Sequence, residues 1–177
     1  HLSPRNRQVA SVLHGYRLAT LLFDLLTGHE ATDQGKVFDI ALLASRLIQA
    51  TDWLLAQSGF SSLPVGLFGA STGAAAAFQA AARRPPRIAA VVSRGGRPDL
   101  AQDALALVQA PSLLIVGGDD TEVLRLNRQA MRLLTCQKRL EVVPGATHLF
   151  EEPGALDTVA HLAGGWFQTH LTGRAKT

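Results

Sequence analysis

Residues 69–73 read Gly-Ala-Ser-Thr-Gly, a G-x-S-x-G pattern between an apolar run, 63–68 (LPVGLF), and a small-residue segment, 72–84, that Pro85 and Pro86 stop. In a strand–turn–helix setting such a turn lifts the serine hydroxyl clear of the backbone, and small neighbours let strand and helix approach closely. Ser71 is thereby a candidate nucleophile, with the start of the following helix lending partial positive charge to an anion formed beside it. The same five residues also suit a glycine-rich turn whose serine only caps a helix. Other uses of the glycines fit less well. A phosphate-binding P-loop requires lysine after its last glycine, where Ala74 stands, and a dinucleotide fingerprint needs G-x-G-x-x-G, whereas the glycines here are Gly66, Gly69 and Gly73. Tyr16, the only tyrosine, has Thr20 rather than lysine four residues on, which argues against a short-chain-dehydrogenase site.

A serine nucleophile needs an imidazole to take its proton and a carboxylate to orient that imidazole. The apolar run 112–116 ends in Gly117-Gly118-Asp119-Asp120, and the run 140–143 ends in Pro144-Gly145-Ala146-Thr147-His148. Each has a plainer reading: aspartates that solvate a turn or cap a helix, and a surface loop histidine. Taken together, a serine, an acid and a histidine lie just past successive apolar runs, in the chain order Ser, Asp, His. His14 and His29 precede the serine, and His161 and His170 fall in the last helical segment, so His148 is the candidate base. Arg94 and Arg97 follow the run 88–92. They could bind a substrate carboxylate or phosphate, or hold their own loop through Asp99.

These residues need elements to position them. Short apolar runs at 18–26 (LATLLFDLL), 63–68, 88–92, 112–116 and 140–143 predict strands, the first as a strand buried on both faces. Between them, residues 39–57 show Ile40, Leu43, Ala44, Leu47, Ile48, Thr51, Leu54 and Leu55 at helical spacing, and 28–36 reads as a loop. Helices are also predicted over 72–84, 100–108, 123–134 (Val123, Leu126, Ala130 and Leu133 inward) and 156–171 (Val159, Ala163 and Trp166 inward). Gly164–Gly165 weakens the last by about 1 kcal/mol per glycine relative to alanine. Near the start, Ser3 suits an N-cap, Pro4 the first helical position, and Val9, Val12, Leu13 and Tyr16 the spacing of a helix. Alternating strands and helices predict an α/β fold: a parallel sheet of about five strands with helices on both faces, whose C-terminal strand ends carry the chemistry.

Composition narrows the class. At 177 residues with 47% hydrophobic and 18% charged side chains, the chain fits one domain, 1–172, and a short tail, 173–177. A net charge of +3 and high hydrophobicity argue against disorder, and no run approaches the length of a membrane-spanning helix. Seventeen basic against fourteen acidic residues, scattered arginines and 6% aromatics argue against nucleic acid as a partner. The single cysteine, Cys136, rules out an internal disulfide framework and a multi-thiolate metal site, and fits a cytoplasmic location.

The segments GLFGASTGAAAA (66–77), SRGGRPDL (93–100), APSLLIVGGDD (110–120) and VPGATHLFEEPGAL (143–156) resemble the α/β-hydrolase superfamily, and within it the dienelactone-hydrolase-like branch, over nearly the whole chain. The resemblance implies Ser71 as nucleophile, Asp120 rather than Asp119 as the acid, and His148 as base, with the Thr72 backbone N–H in the oxyanion hole. It implies cleavage of an ester-like bond (carboxylester, thioester or lactone) in a small molecule through an acyl-enzyme, with no metal or organic cofactor. Dienelactone hydrolases themselves use a cysteine nucleophile; here the elbow holds Ser71, and Cys136 lies near a helix end. Some relatives are fused to a phosphoribosyltransferase domain, an activity nothing in these residues supports. Members of the family also carry further strands ahead of residues 18–26, one of them followed by a His-Gly-rich loop supplying a second oxyanion N–H, and the sequence from His1 contains neither. The expectation is therefore a hydrolase fold lacking its N-terminal strands, with the absent strand falling between 18–26 and 63–68. One lost oxyanion donor costs about 10²–10³ in rate, whereas a lost interior strand threatens a net stability of only about 5–15 kcal/mol. The alternative function is a non-catalytic hydrolase-fold module that binds a ligand or partner.

Overall fold

The structure, a computed structural model, describes residues 3–172; His1, Leu2 and the predicted tail 173–177 lie outside the described residues. Four strands form one parallel sheet in the order β1 (Val65–Ala70), β2 (Ile88–Arg94), β3 (Ser112–Gly117), β4 (Lys138–Val143). Helices α1 (Pro4–Gly15), α2 (Gln34–Val37) and α3 (Ile40–Ala56) precede the sheet; α4 (Thr72–Arg83), α5 (Thr121–Leu133) and α6 (Ala155–Thr172) follow β1, β3 and β4. The connection from β2 to β3 is an irregular 3-10 segment, Pro98–Leu107, kinked at Gln102.

Strand alternation divides the core into two layers. Leu67, Val91 and Leu114 point toward α3, α4 and the 3-10 segment, where Ala75, Ala76, Phe78 and Leu105 are buried. Val92, Leu113 and Ile115 point the other way, onto Val9 and Leu13 of α1 and Val159, Ala163 and Phe167 of α6. The central strands β2 and β3 are buried at every residue, as continuous apolar runs require. On α6 the buried aromatic is Phe167, while Trp166 is half-buried and donates its indole N–H to the Pro111 carbonyl at 3.3 Å. Gly164, expected only to weaken the helix, faces the Tyr16 ring, which a Cβ would meet at 2.5 Å. On α5, Leu133 is exposed and the buried set is Val123, Leu124, Asn127 and Ala130. No helix of the described residues is long and apolar enough to cross a membrane.

Residues 18–26 correct the five-strand expectation. They form no strand, and two of their large apolar side chains, Leu21 and Phe23, are exposed. A strand needs a neighbour for its backbone groups. Among the described residues none lies between 18–26 and β1, and the two border a groove of about 1090 Å³ with Leu22, Leu25, Gly66 and Phe68 in its walls. The segment is tied down instead at its far end. Arg46 of α3 donates to the Leu25 carbonyl at 2.8 Å and, through both terminal nitrogens, to Glu30 at 2.7 and 2.9 Å. The predicted loop 28–36 contains a 3-10 turn, Glu30–Thr32, and the start of α2, which Asp33 caps.

The Arg46 guanidinium, and after it the Thr27 backbone N–H, hold the Glu30 carboxyl well below the usual carboxylate range. A folded value lower than the unfolded one stabilises the fold above about pH 4.3, and that contribution is lost as the pH falls toward the folded value. The stability advantage of the wild type over Glu30→Gln, followed by urea unfolding, is therefore expected to be constant from pH 8 to pH 5 and to shrink below about pH 4. An advantage that grew on acidification would contradict this role for Glu30.

Candidate active site

All four strands end at one edge of the sheet, and the candidate residues leave it there. Ser71 stands alone between β1 and α4, with φ 49° and ψ −126°. Such a conformation costs a residue with a Cβ about 1–3 kcal/mol and persists only where the surroundings over-determine it. Two contacts do so here. The Ser71 carbonyl accepts from the backbone N–H groups of Ala74 and Arg97, both at 3.1 Å. Gly69 packs directly on the backbone of Gly73 and Ala74, where any Cβ would overlap the first turn of α4. The Ser71 hydroxyl makes no capping bond to the helix, so the capping-serine reading is not the one the fold uses.

The acid and the histidine are brought together by laced backbone. Gly118 donates to the Val143 carbonyl at 2.8 Å and Asp119 to the Ala146 carbonyl at 3.0 Å, so the loops after β3 and β4 run against each other. Ala146 and Phe150, buried on either side of His148, anchor its loop in the core and leave its side chain 42% exposed. Across that seam His148 Nδ1 lies 2.6 Å from Asp120 Oδ2, and the carboxylate is 14% exposed. Asp120 immediately precedes α5 and makes no side-chain capping bond to it, while the Asp119 side chain is exposed. Of the two adjacent aspartates, Asp120 is the one in contact with the histidine.

The loop after β2 is the third wall. Arg97 reaches the Ser71 carbonyl, and Gly95, with φ 48°, faces the His148 carbonyl and ring, which a Cβ would meet at 3.0 and 3.7 Å. Ser71 and His148 thus sit against the same three-residue loop. The hydrogen bond of the ring is to Asp120, and the Ser71 hydroxyl makes none with it; such bonds are often long before substrate binds. Thr72 opens α4, where helix geometry leaves the first N–H groups without intrahelical acceptors. Cys136 is at the opposite end of the sheet, its sulfur 3.6 Å from the hydroxyl of Ser112, the first residue of β3. Among the described residues no cluster of three His, Cys, Asp or Glu could hold a metal ion.

The two arginines part company. Arg97 donates three hydrogen bonds to Asp99, at 2.8 to 3.2 Å, and so holds its own loop. Arg94 is only 8% exposed, and its Nη1 is buried with no hydrogen-bond partner among the described residues. Burial, and then the charge of Arg5, push its guanidinium down to about 10, so it remains charged at neutral pH. Sequence reading missed Asn127, which is fully buried on α5 and donates to the Gly96 carbonyl at 2.9 Å and the Val123 carbonyl at 2.8 Å. A polar residue at an inward helical position was the available signal.

A parallel sheet with a strained serine after one strand and a coupled acid and histidine after the last two is the architecture of the α/β-hydrolase class. The model of the dienelactone hydrolase family matches residues 28–165. The crystal structure of a dienelactone hydrolase from Anabaena variabilis ATCC 29413 shares 57% identity and a TM-score of 0.90, covering 96% of this chain and 80% of that one. Two Mycobacterium tuberculosis proteins, from strains CDC 1551 / Oshkosh and ATCC 25618 / H37Rv, are 61% identical over 171 residues, 97% of this chain and 39% of theirs. Each bears the name "Putative phosphoribosyl transferase", and the chain spans about two fifths of their length. The dienelactone hydrolase-like promiscuous phosphotriesterase P91 from metagenomic libraries shares the fold, at a TM-score of 0.76 and 20% identity over 96% of this chain and 82% of its own. The chain belongs to the dienelactone hydrolase family.

Asn127→Ala is expected to lower unfolding free energy by about 1–3 kcal/mol, because the Gly96 carbonyl loses its buried donor. Hydrogen exchange at residues 95–97 should quicken in the same variant. Unchanged stability and exchange would show that the loop is held by other contacts.

Proposed function

We propose that this hydrolase cleaves an ester-like bond of a small molecule by acyl transfer through Ser71, His148 and Asp120. The observation that carries the reading is the 2.6 Å contact between Asp120 and His148, at the strand edge where Ser71 leaves the sheet. The His148 ring takes the Ser71 proton as the oxygen attacks the carbonyl, and Asp120 orients the ring and steadies the imidazolium that forms. The Thr72 N–H, at the positive end of α4, donates to the developing oxyanion. His148 then returns the proton to the leaving oxygen, and a water attacks the acyl-enzyme through the same base. Each step uses side chains and backbone already at the rim and asks for no metal or organic cofactor.

A fluorophosphonate probe tests the nucleophile directly. Covalent labelling of the wild type and none of Ser71→Ala is the expected result; equal labelling of both would reject the assignment, and labelling of neither would favour a binding module without turnover. Asp120→Asn should keep the fold and lower kcat toward aryl esters by about 10⁴, since the ring loses the partner that fixes its tautomer. A loss below about tenfold would remove Asp120 from the mechanism.

A further inference from the structure

We propose that the free edge of β4 is a self-recognition surface, on which a second copy of this chain pairs antiparallel about a two-fold axis through Leu140. β4 is the last strand of the sheet and has β3 on one side only. Its ladder fixes which backbone groups are already used. Ser112 of β3 stands in register with Lys138 and donates its N–H to the Gln137 carbonyl, and Gly118 donates to the Val143 carbonyl. Alternate residues of a strand bond to the same neighbour, so Gln137, Arg139, Glu141 and Val143 bond toward β3. The N–H and C=O groups of Lys138, Leu140 and Val142 point the other way, and among the described residues no backbone group meets them. Such a row is a template for another strand. The Arg139 side chain is 64% exposed on one face of the edge and Val142 is 40% exposed on the other.

Charge selects both the occupant and the register. Arg139 and Glu141 share a face of β4 and form an ion pair along it. With Leu140 set opposite its own copy, Lys138 falls opposite Val142, and Arg139 falls opposite Glu141 twice by symmetry. Because the backbone groups of Arg139 and Glu141 are spent on β3, these are non-hydrogen-bonded pairs, in which side chains approach most closely. Sliding one copy by two residues keeps the backbone pairing but sets Arg139 against Arg139, or Glu141 against Glu141. Like charges directly opposite repel and unlike charges attract. The strand is therefore complementary to itself in one register and repelled in the two nearest. Charges that only kept the edge solvated would serve best with a single sign, which resists every register; here two signs alternate. Antiparallel pairing about one axis also closes after two copies and satisfies every outward group from Lys138 to Val142.

Sedimentation equilibrium up to about 100 μM, a range that reaches weak pairs, tests this by charge reversal. The wild type should show a dimer fraction that rises with concentration. Arg139→Glu and Glu141→Arg should each weaken dimerisation by about tenfold or more, because both cross-strand attractions become repulsions. Mixed in equal amounts, the two variants should associate with each other about as tightly as the wild type does with itself. An edge bearing two glutamates then faces one bearing two arginines. Thermal melts check that each variant folds. Hydrogen exchange of the unaltered protein gives a readout that needs no substitution: the amides of Lys138, Leu140 and Val142 should slow as concentration rises. A wild type that stays monomeric, association unmoved by either reversal, folded variants that do not associate when mixed, or exchange independent of concentration would each overturn the proposal.

Discussion

The contact between Asp120 and His148 is the interaction on which the rest of the site depends, and it is made by backbone before it is made by side chains. Gly118 and Asp119 donate to the carbonyls of Val143 and Ala146, which fixes the separation of the loops after β3 and β4. The core then holds the two ends of the histidine loop, through Ala146 and Phe150, while the ring between them stays accessible. A half-exposed imidazole beside a mostly buried carboxylate can exchange protons with a substrate and still keep one orientation. Neither group alone would have both properties.

A parallel sheet supplies the matching constraint at Ser71. Because every strand runs the same way, residues separated by dozens of positions along the chain emerge at one edge, and helices pack on both faces to bury the apolar strands. The strain at Ser71 is sustained by that packing. Gly69 lies against the first turn of α4, the Ser71 carbonyl is taken by Ala74 and Arg97, and Asn127 secures the loop that reaches it from behind. The fold thus gives up part of its stability at one half-buried serine, at the place where the chemistry of an acyl transfer would begin.

Much of this was legible in the residues. The elbow was readable because strand, turn and helix signals are adjacent in the chain, and four of the five expected strands formed within a few residues of their predicted bounds. The fifth, 18–26, did not, because a continuous apolar run looks the same whether it joins a ladder or merely lines a groove. Which aspartate meets the histidine depended on one residue of turn geometry, and the resemblance to relatives pointed to Asp120, the residue the fold brings to His148. Arg94 and Arg97, three positions apart, read alike; only the fold distinguishes the arginine that has a carboxylate from the one that has none among the described residues. Asn127 and Phe167 were hidden by a pattern that scores helix faces by apolar spacing and cannot weigh a single buried amide or a one-residue rotation.

The central claim is that Ser71 and His148 act as one device. Single-turnover hydrolysis of an activated aryl ester by Ser71→Ala, His148→Ala and the double variant measures this most directly. Residues that work as a unit show strongly non-additive losses, so the double variant should be no slower than about the worse of the two singles. Losses that multiply in the double variant would mean that the two side chains act independently, and the account built on their shared rim would be wrong.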